Sequence, residues 1–265
     1  RLVCLQYKKK EKAELLALAE EGLVHDSGSL SLMELRADLL REMDRIPEAI
    51  GAYEAILSQS PRHPTALESL GRLYQFRVYD YAKAVQAYLR QIVVAGESAE
   101  LHNLIGLCYE ETGAYEKAED AFCAAIAMSS EEPSFHCNLG GMYLLTAQYA
   151  KAEPEFTEAL RLQPRQKRDR IRLRREFALL YSRTGRPAEA AALLEQNANA
   201  EYSYWDLCRA ADIWAAAGNA QAAAVYLARW RKLATPAEGD WCVHQSVVSR
   251  LLGRRWAAKR WLRHG

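Results

Sequence analysis

The sequence predicts an all-α fold, a right-handed α-solenoid of stacked antiparallel helix pairs. The strongest observation is a repeat, because residues 101–126 and 135–160 place the same glycine, alanine and aromatic residues 34 positions apart. Composition agrees, since the chain has only 14 glycines and 8 prolines in 265 residues. Alanine, leucine, glutamate and arginine, which favour helices, dominate most windows. One amphipathic helix pair cannot bury its apolar face alone, so pairs of this length are predicted to stack.

The repeat continues through most of the chain in one frame. We predict seven units, which begin near residues 30, 64, 99, 133, 171, 204 and 239. Residues 1–29 hold a partial N-terminal unit, in which residues 12–21 read as the second helix of a pair. One extra residue falls in the turn of the second unit, and four fall before the fifth. All units are expected to form a single solenoid domain over residues 1–265.

Each unit is expected to join its two helices through small residues. The eighth position holds Gly71, Gly106, Gly140, Ala178 and Ala211, and the twentieth holds Ala49, Ala84, Ala118, Ala152, Ala190 and Ala223. Glycine inside a helix costs about 1 kcal/mol relative to alanine, so its recurrence needs a packing reason. We expect the two helix backbones to approach closely at these positions, with aromatic side chains filling the space beside them.

The pattern resembles that of the tetratricopeptide repeat family. The resemblance rests on the period, on cores such as Leu70-Gly71-x-x-Tyr74 and on the Ala-x-x-x-Phe/Tyr-x-x-Ala core of the second helix, and it covers residues 12–262. It implies a superhelix whose first helices line a concave groove that binds protein partners. The chain departs from the family at the fourth position, where no unit has tryptophan; Met33, Leu67, His102, His136, Arg174 and Leu207 stand there.

The sequence contains no motif for a nucleotide-binding loop, a serine hydrolase or a zinc protease. His102 and His136 lie 34 residues apart, but both occupy the fourth position of a first helix, where a packing role is expected. We therefore predict a non-enzymatic protein with no cofactor, no metal ion and no small-molecule substrate.

The six cysteines form no CxxC pair and are expected to be buried free thiols in a reducing compartment. The longest apolar run, residues 121–128, is far shorter than the roughly 18–20 residues that span a bilayer. We expect a cytoplasmic protein. The chain starts at Arg1 rather than Met, and we read it as a part cut from a longer protein, a reading that leaves room for a lost targeting segment.

The family's inward-facing positions give the candidate partner-binding groove. On the third, fourth and fifth first helices these are Asn103, Leu107, Glu110, Asn138, Arg168, Arg172, Arg175, Leu179 and Arg183. Asn138 is at the sixth position, where related proteins use asparagine to hydrogen-bond a peptide backbone. The carboxylate clamp of chaperone-binding members is not expected, because Asn103, Leu107 and Glu176 replace three of its residues.

The stretch at residues 165–175 has seven basic residues in eleven positions. The four extra residues before the fifth unit amount to about one helical turn, which predicts a first helix extended at its N-terminal end. On that helix Arg168, Arg172, Arg175 and Arg183 share one side. We predict that they form a basic wall facing Asn138 and the acidic third unit.

The favoured function is a scaffold that binds a protein or peptide segment in the groove, and the arginines suggest an acidic one. The alternatives are the interaction arm of a larger enzyme or of a secretion or assembly component, and, less favoured, nucleic-acid binding through the basic C-terminal half. No aromatic residue interleaves the charges of residues 165–175, which weakens the nucleic-acid hypothesis. No membrane partner is expected, although Trp256 and Trp261 lie among basic residues that would suit an interfacial helix. Self-association is a further alternative, because residues 97–164 carry a net charge of −9 and residues 165–265 carry a net charge of +10.

Overall fold

The computed structural model describes residues 2–197 and 205–233, and within these ranges the chain is α-helical without a strand. The helices fall into two compact units that divide between Ser129 and Ser130. The predicted unit near residue 239 and the tryptophan-rich C-terminus lie outside the described residues. The prediction of a single domain over residues 1–265 stays a prediction.

The first compact unit contains seven helices. They are α1 (Leu2–His25), α2 (Leu30–Glu42), α3 (Ile46–Gln59), α4 (Pro64–Leu73), α5 (Tyr81–Ala95), α6 (Ala99–Glu111) and α7 (Tyr115–Met128). Each helix packs on the next one in the chain. This nearest-neighbour stacking is the contact pattern that a helical repeat protein requires.

The second compact unit contains six helices among its described residues. They are α8 (Pro133–Leu145), α9 (Tyr149–Arg161), α10 (Lys167–Arg183), α11 (Pro187–Glu195), α12 (Trp205–Ala216) and α13 (Ala220–Leu233). Consecutive helices pack on each other, and α8 also contacts α10. The predicted all-α class of stacked helix pairs is confirmed.

The predicted repeat boundaries agree with the helix starts. Four predicted unit starts, at residues 30, 64, 99 and 133, are the first residues of α2, α4, α6 and α8. Helix α10 begins at Lys167, four residues before the predicted start at Ile171, so the expected extension by one turn is present. Helix α1 is much longer than the helical piece predicted at residues 12–21.

The glycines of the first helices lie against aromatic rings of the second helices. A Cβ atom built on Gly106 would stand 2.7 Å from two ring carbons of Phe122, and one on Gly140 would stand 2.9 Å from Phe156. Gly71 has the same relation to Tyr88, and these three aromatic side chains are fully buried. The predicted close approach of the helices is therefore present in three successive pairs.

The turn inside each pair repeats a left-handed backbone position. Gly113 has φ +74° and Gly185 φ +75°, whereas the equivalent turn of the fourth pair puts Ala147 at φ +58°. Glycine adopts this region without a steric cost, but a residue with a Cβ does so at about 1–2 kcal/mol. The glycines at this turn position are thus explained by backbone geometry, whereas those inside the helices are explained by packing.

The second pair absorbs its extra residue in a π-helical turn. Residues Tyr74–Val78 form this turn at the end of α4, and the backbone N–H of Asp80 donates to the carbonyl of Tyr74 at 2.9 Å. The turn buries Gln75, whose side-chain oxygen accepts a hydrogen bond from the Tyr88 hydroxyl at 2.8 Å. A wider turn of this kind holds one more residue without moving the helix that follows.

We predict opposite effects for two glycine-to-alanine changes in the first unit. G106A should destabilise the protein by about 1–3 kcal/mol, because the new methyl group overlaps the Phe122 ring. G51A should stabilise it by roughly 0.5–1 kcal/mol, because Gly51 lies in α3 with nothing within 4 Å of its Cβ position. Urea denaturation followed by circular dichroism measures both. Equal effects of the two changes would contradict the packing explanation.

Candidate functional site

A pocket of about 580 Å³ opens in the second unit between α8 and α10, the first helices of two neighbouring pairs. It is lined by Glu131, Glu132, Pro133, Ser134, Cys137, Asn138, Leu162, Gln163, Pro164, Arg165, Gln166, Asp169, Arg172 and Leu173. The segment between α9 and α10 supplies residues 162–166, and Asp169 comes from the extra N-terminal turn of α10. The lengthened repeat therefore forms one wall of the pocket.

Arg172 connects the two helices at the pocket. Its Nη2 donates to Asn138 Oδ1 at 3.3 Å, and its Nε donates to Glu176 Oε1 at 2.8 Å. The thiol of Cys137 reaches the other Glu176 oxygen at 3.5 Å. Two of the predicted groove residues, Asn138 and Arg172, are thus in direct contact, and Glu176, at another inward-facing position of the fifth unit, joins them.

Arg175 has a different position from the one that the sequence predicted for it. Its Nε donates to Asp206 Oδ1 at 2.7 Å, and the Asp206 side chain on α12 is completely buried. Asn197, also fully buried, donates to Asp206 Oδ2 at 3.0 Å and accepts a hydrogen bond from Arg174. Arg175 therefore joins α10 to α12. The only sequence signal was an acid, Asp206, between two large apolar residues.

The remaining predicted residues of α10 lie on its exposed surface. Arg168, Leu179 and Arg183 are exposed, and helical geometry places them on the same side as Arg172. Within residues 2–197 and 205–233 no carboxylate pairs with Arg168 or Arg183. At 1.5 Å per residue these two arginines are about 22 Å apart along the helix.

Three predicted groove residues lie on α6 in the first unit. Asn103 is buried, and Leu107 and Glu110 are half-buried. Their part in a groove stays a prediction, as does the facing of the arginines towards the acidic third repeat.

The basic stretch at residues 165–175 is largely occupied by intramolecular contacts. Arg170 donates to the carbonyls of Pro164 and Arg165 at 2.8 and 2.9 Å, which closes the turn before α10. Arg172, Arg174 and Arg175 have the partners described above. Four of the seven basic residues thus stabilise the fold, so the stretch is less available to nucleic acid than its charge suggests.

His136, one of the two histidines noted in the sequence, is a packing residue in the fourth pair. His136 is buried, with Nδ1 2.7 Å from Glu155 Oε2 and Nε2 3.2 Å from the Ser130 carbonyl. In the described part of the chain no group of three or more His, Cys, Asp or Glu side chains is arranged to hold a metal ion. None of the described helices has the length and apolar character that crossing a membrane requires.

Lysine side chains cover tyrosine rings in three successive pairs. The Lys117 ammonium lies 5.6 Å from the centre of the Tyr109 ring, and Lys151 lies 5.0 Å from that of Tyr143. Lys83 and Tyr74 form the same contact in the π-helical pair. The signal was a lysine just before the twentieth-position alanine of these three units, and the contact holds the second helix against the first.

Three of the described cysteines, Cys108, Cys137 and Cys208, are buried, and their thiols are poor nucleophiles. Burial raises the pKa of Cys108 and of Cys208 to about 12. Burial, followed by the nearby Glu176 carboxylate, also raises the pKa of Cys137. Cys123 is exposed. The nucleophile in thiol chemistry is the thiolate, which the buried cysteines do not form at neutral pH.

Comparison with known proteins agrees with the repeat. Models of the tetratricopeptide repeat match residues 35–90, 75–133 and 133–166. A solved tetratricopeptide repeat protein from Parabacteroides merdae is 20% identical over 96% of this chain and 97% of its own, with a TM-score of 0.62. PilW, described as a type IV pilus biogenesis factor, is 20% identical over 77% of this chain and 93% of its own, with a TM-score of 0.62.

A third solved structure, of pilF from Pseudomonas aeruginosa, is 18% identical over 75% of this chain and 88% of its own, with a TM-score of 0.58. Among curated proteins nothing matches this sequence. At these identities the solved structures show a shared fold.

We predict that D206A destabilises the protein by about 3–5 kcal/mol, because it leaves the Arg175 guanidinium without its buried partner. The control is E195A in the same compact unit, which removes the acid paired with the exposed Arg229 and should cost less than about 1 kcal/mol. Urea denaturation measures both variants. A small effect of D206A would mean that the joint between α10 and α12 does not depend on this ion pair.

We predict that iodoacetamide at neutral pH modifies Cys123 in the folded protein and leaves Cys108, Cys137 and Cys208 unmodified. The raised pKa values keep the buried thiols protonated, and burial blocks access to them. Peptide mass spectrometry reports each cysteine separately. All of them should react in denaturant, and rapid labelling of Cys137 in the folded protein would contradict its placement.

Proposed function

The chain belongs to the tetratricopeptide repeat family, and from that membership we propose that it is a non-enzymatic scaffold that binds a partner segment along α8 and α10. Members of this family generally act as protein-interaction scaffolds. We name the exposed surface that these two helices share the α8/α10 face. It comprises the pocket of about 580 Å³ together with Arg168, Arg172, Leu179 and Arg183.

The observation that carries the proposal is the contact of Arg172 with Asn138 at the edge of the pocket. It brings a cation and an amide from two neighbouring first helices to one place. An extended peptide presents backbone N–H and C=O groups, which an amide can pair with in both directions. A cation beside it adds attraction for an acidic side chain, so this point suits a peptide that carries negative charge.

The rest of the face suggests the pattern of the partner. Arg168 and Arg183 are exposed near the two ends of α10, and Leu179 lies between them with 46% of its surface exposed. A leucine side chain exposed among cations is a typical point of contact for an apolar group. We therefore propose a segment with acidic residues at both ends and an apolar residue between them. The cytoplasmic location expected from the sequence belongs to the same proposal.

Charge reversal at two exposed arginines tests the proposed function. R168E/R183E should reduce capture of the bound partner by at least about tenfold, because two attractive contacts become repulsive. These positions are preferable to Arg175, whose buried partner would make loss of binding and loss of folding indistinguishable. The measurement is an affinity pull-down with quantitative mass spectrometry.

The matched control is R62E/R209E, which changes the net charge equally at exposed positions outside α8 and α10. Both double variants should keep the helical content and melting temperature of the unmodified protein. If R168E/R183E captures the same proteins in the same amounts, the α8/α10 face is not the binding site. Equal losses in both double variants would also count against it.

A further inference from the structure

We propose that Glu176 sets the charge specificity of the α8/α10 face by occupying Arg172 in place of a partner's carboxylate. The inference rests on the proposed function, because it concerns the same surface, and it names a residue that decides which partners bind there. A carboxylate of this chain already makes a charge-assisted hydrogen bond with the cation that an acidic partner would seek. An acidic partner must therefore displace Glu176 or bind weakly.

The geometry around Glu176 supports this assignment. Its Oε1 accepts from Arg172 Nε at 2.8 Å, while its Oε2 lies 3.5 Å from the Cys137 thiol. A Cβ atom at Gly141 would stand 3.5 Å from the same Oε2, an ordinary contact distance, so the carboxylate lies close to the α8 backbone. The Glu176 side chain is 26% exposed and that of Arg172 is 59% exposed. The acid is held between the helices, while the cation remains accessible from solvent.

The charge of the pocket makes this competition decisive. Glu131, Glu132 and Asp169 line the same pocket as Arg172, with Arg165 as the second cation. The carboxylate of Glu132 is engaged at the start of α8, where it accepts from the Ser134 hydroxyl at 2.9 Å. The lining thus holds three carboxylates against two arginines, and Glu176 beside Arg172 makes the site more negative still, so a single carboxylate finds no net attraction in the pocket. A partner must then supply several acidic groups along α10, which selects against weakly charged segments.

The Arg172–Glu176 contact is also weak enough to exchange. It joins residues four apart on one helix, and such pairs at a helix surface are individually weak. A carboxylate from a partner can replace the internal one at Arg172 with a similar bond. The exchanged Glu176 remains within reach of the Cys137 thiol, which bonds its other oxygen.

The experiment measures binding of a fluorescent octaglutamate peptide at low salt by anisotropy, with octaglutamine as the neutral probe. E176Q should bind octaglutamate about twofold more tightly than the unmodified protein, because Arg172 loses its competing charge. R172Q/E176Q should lose this gain, since the cation itself is then absent. Octaglutamine should bind neither variant more tightly than it binds the unmodified protein.

The matched control is E158Q, which removes the acid partner of Arg161 on α9, at 2.7 Å, without touching α8 or α10. It changes the net charge by the same amount and leaves an arginine without its carboxylate by the same chemistry. If E158Q gains as much affinity for octaglutamate as E176Q does, the effect comes from overall charge and the proposal is overturned. It is also overturned if E176Q does not gain, or if R172Q/E176Q keeps the gain.

This result is separable from that of the proposed function. R168E/R183E could lose the captured partner while E176Q binds octaglutamate with unchanged affinity. That outcome would retain the binding face and reject Glu176 as its specificity residue. Conversely, E176Q could gain affinity for octaglutamate through Arg172 while R168E/R183E captures its partner normally. That outcome would retain the competition at Arg172 and reject the proposed face as the site of the natural partner. Circular dichroism of E176Q confirms that the fold is intact.

Discussion

The contact between a helical glycine and an aromatic ring sets the distance between the two helices in three successive pairs. At Gly106 the ring of Phe122 lies where a side chain would begin, and Gly140 and Phe156 repeat this arrangement in the next pair. The helix backbones approach closely only because the glycine has no Cβ atom. The lysines over the tyrosine rings and the left-handed turn residues then stabilise a spacing that this contact has already set.

The regular repeat explains why its irregular parts are informative. One extra residue in the second pair is absorbed locally, as a π-helical turn at Tyr74–Val78. The four extra residues of the fifth unit have a larger effect, because they lengthen α10 by one turn, and Asp169 of this turn lines the pocket. An insertion placed between pairs changes the surface without disturbing the packing inside any pair. The candidate binding site therefore lies where the period is broken.

The two groups of arginines on α10 differ in what they can do. Arg170, Arg174 and Arg175 are engaged by carbonyls, an amide and a buried carboxylate, so they maintain the turn and the joint to α12. Arg168 and Arg183 are exposed, and Arg172 lies between these roles because Glu176 holds it at the surface. A basic stretch thus supplies both structural and recognition residues, and only their partners distinguish the two.

The sequence by itself determined the helix pairs, their starts and the positions of close packing, because these depend on local period and on glycine and aromatic residues at fixed spacing. It also predicted that Asn138 and Arg172 share one surface, since both follow from the repeat frame. Only the tertiary structure determined which partner each charged side chain contacts. Pairs such as Arg175 with Asp206 join residues far apart in the chain, and no local period encodes them. Side-chain length and rotamer choice let one arginine reach either helix, so the contact is settled only when the helices are packed.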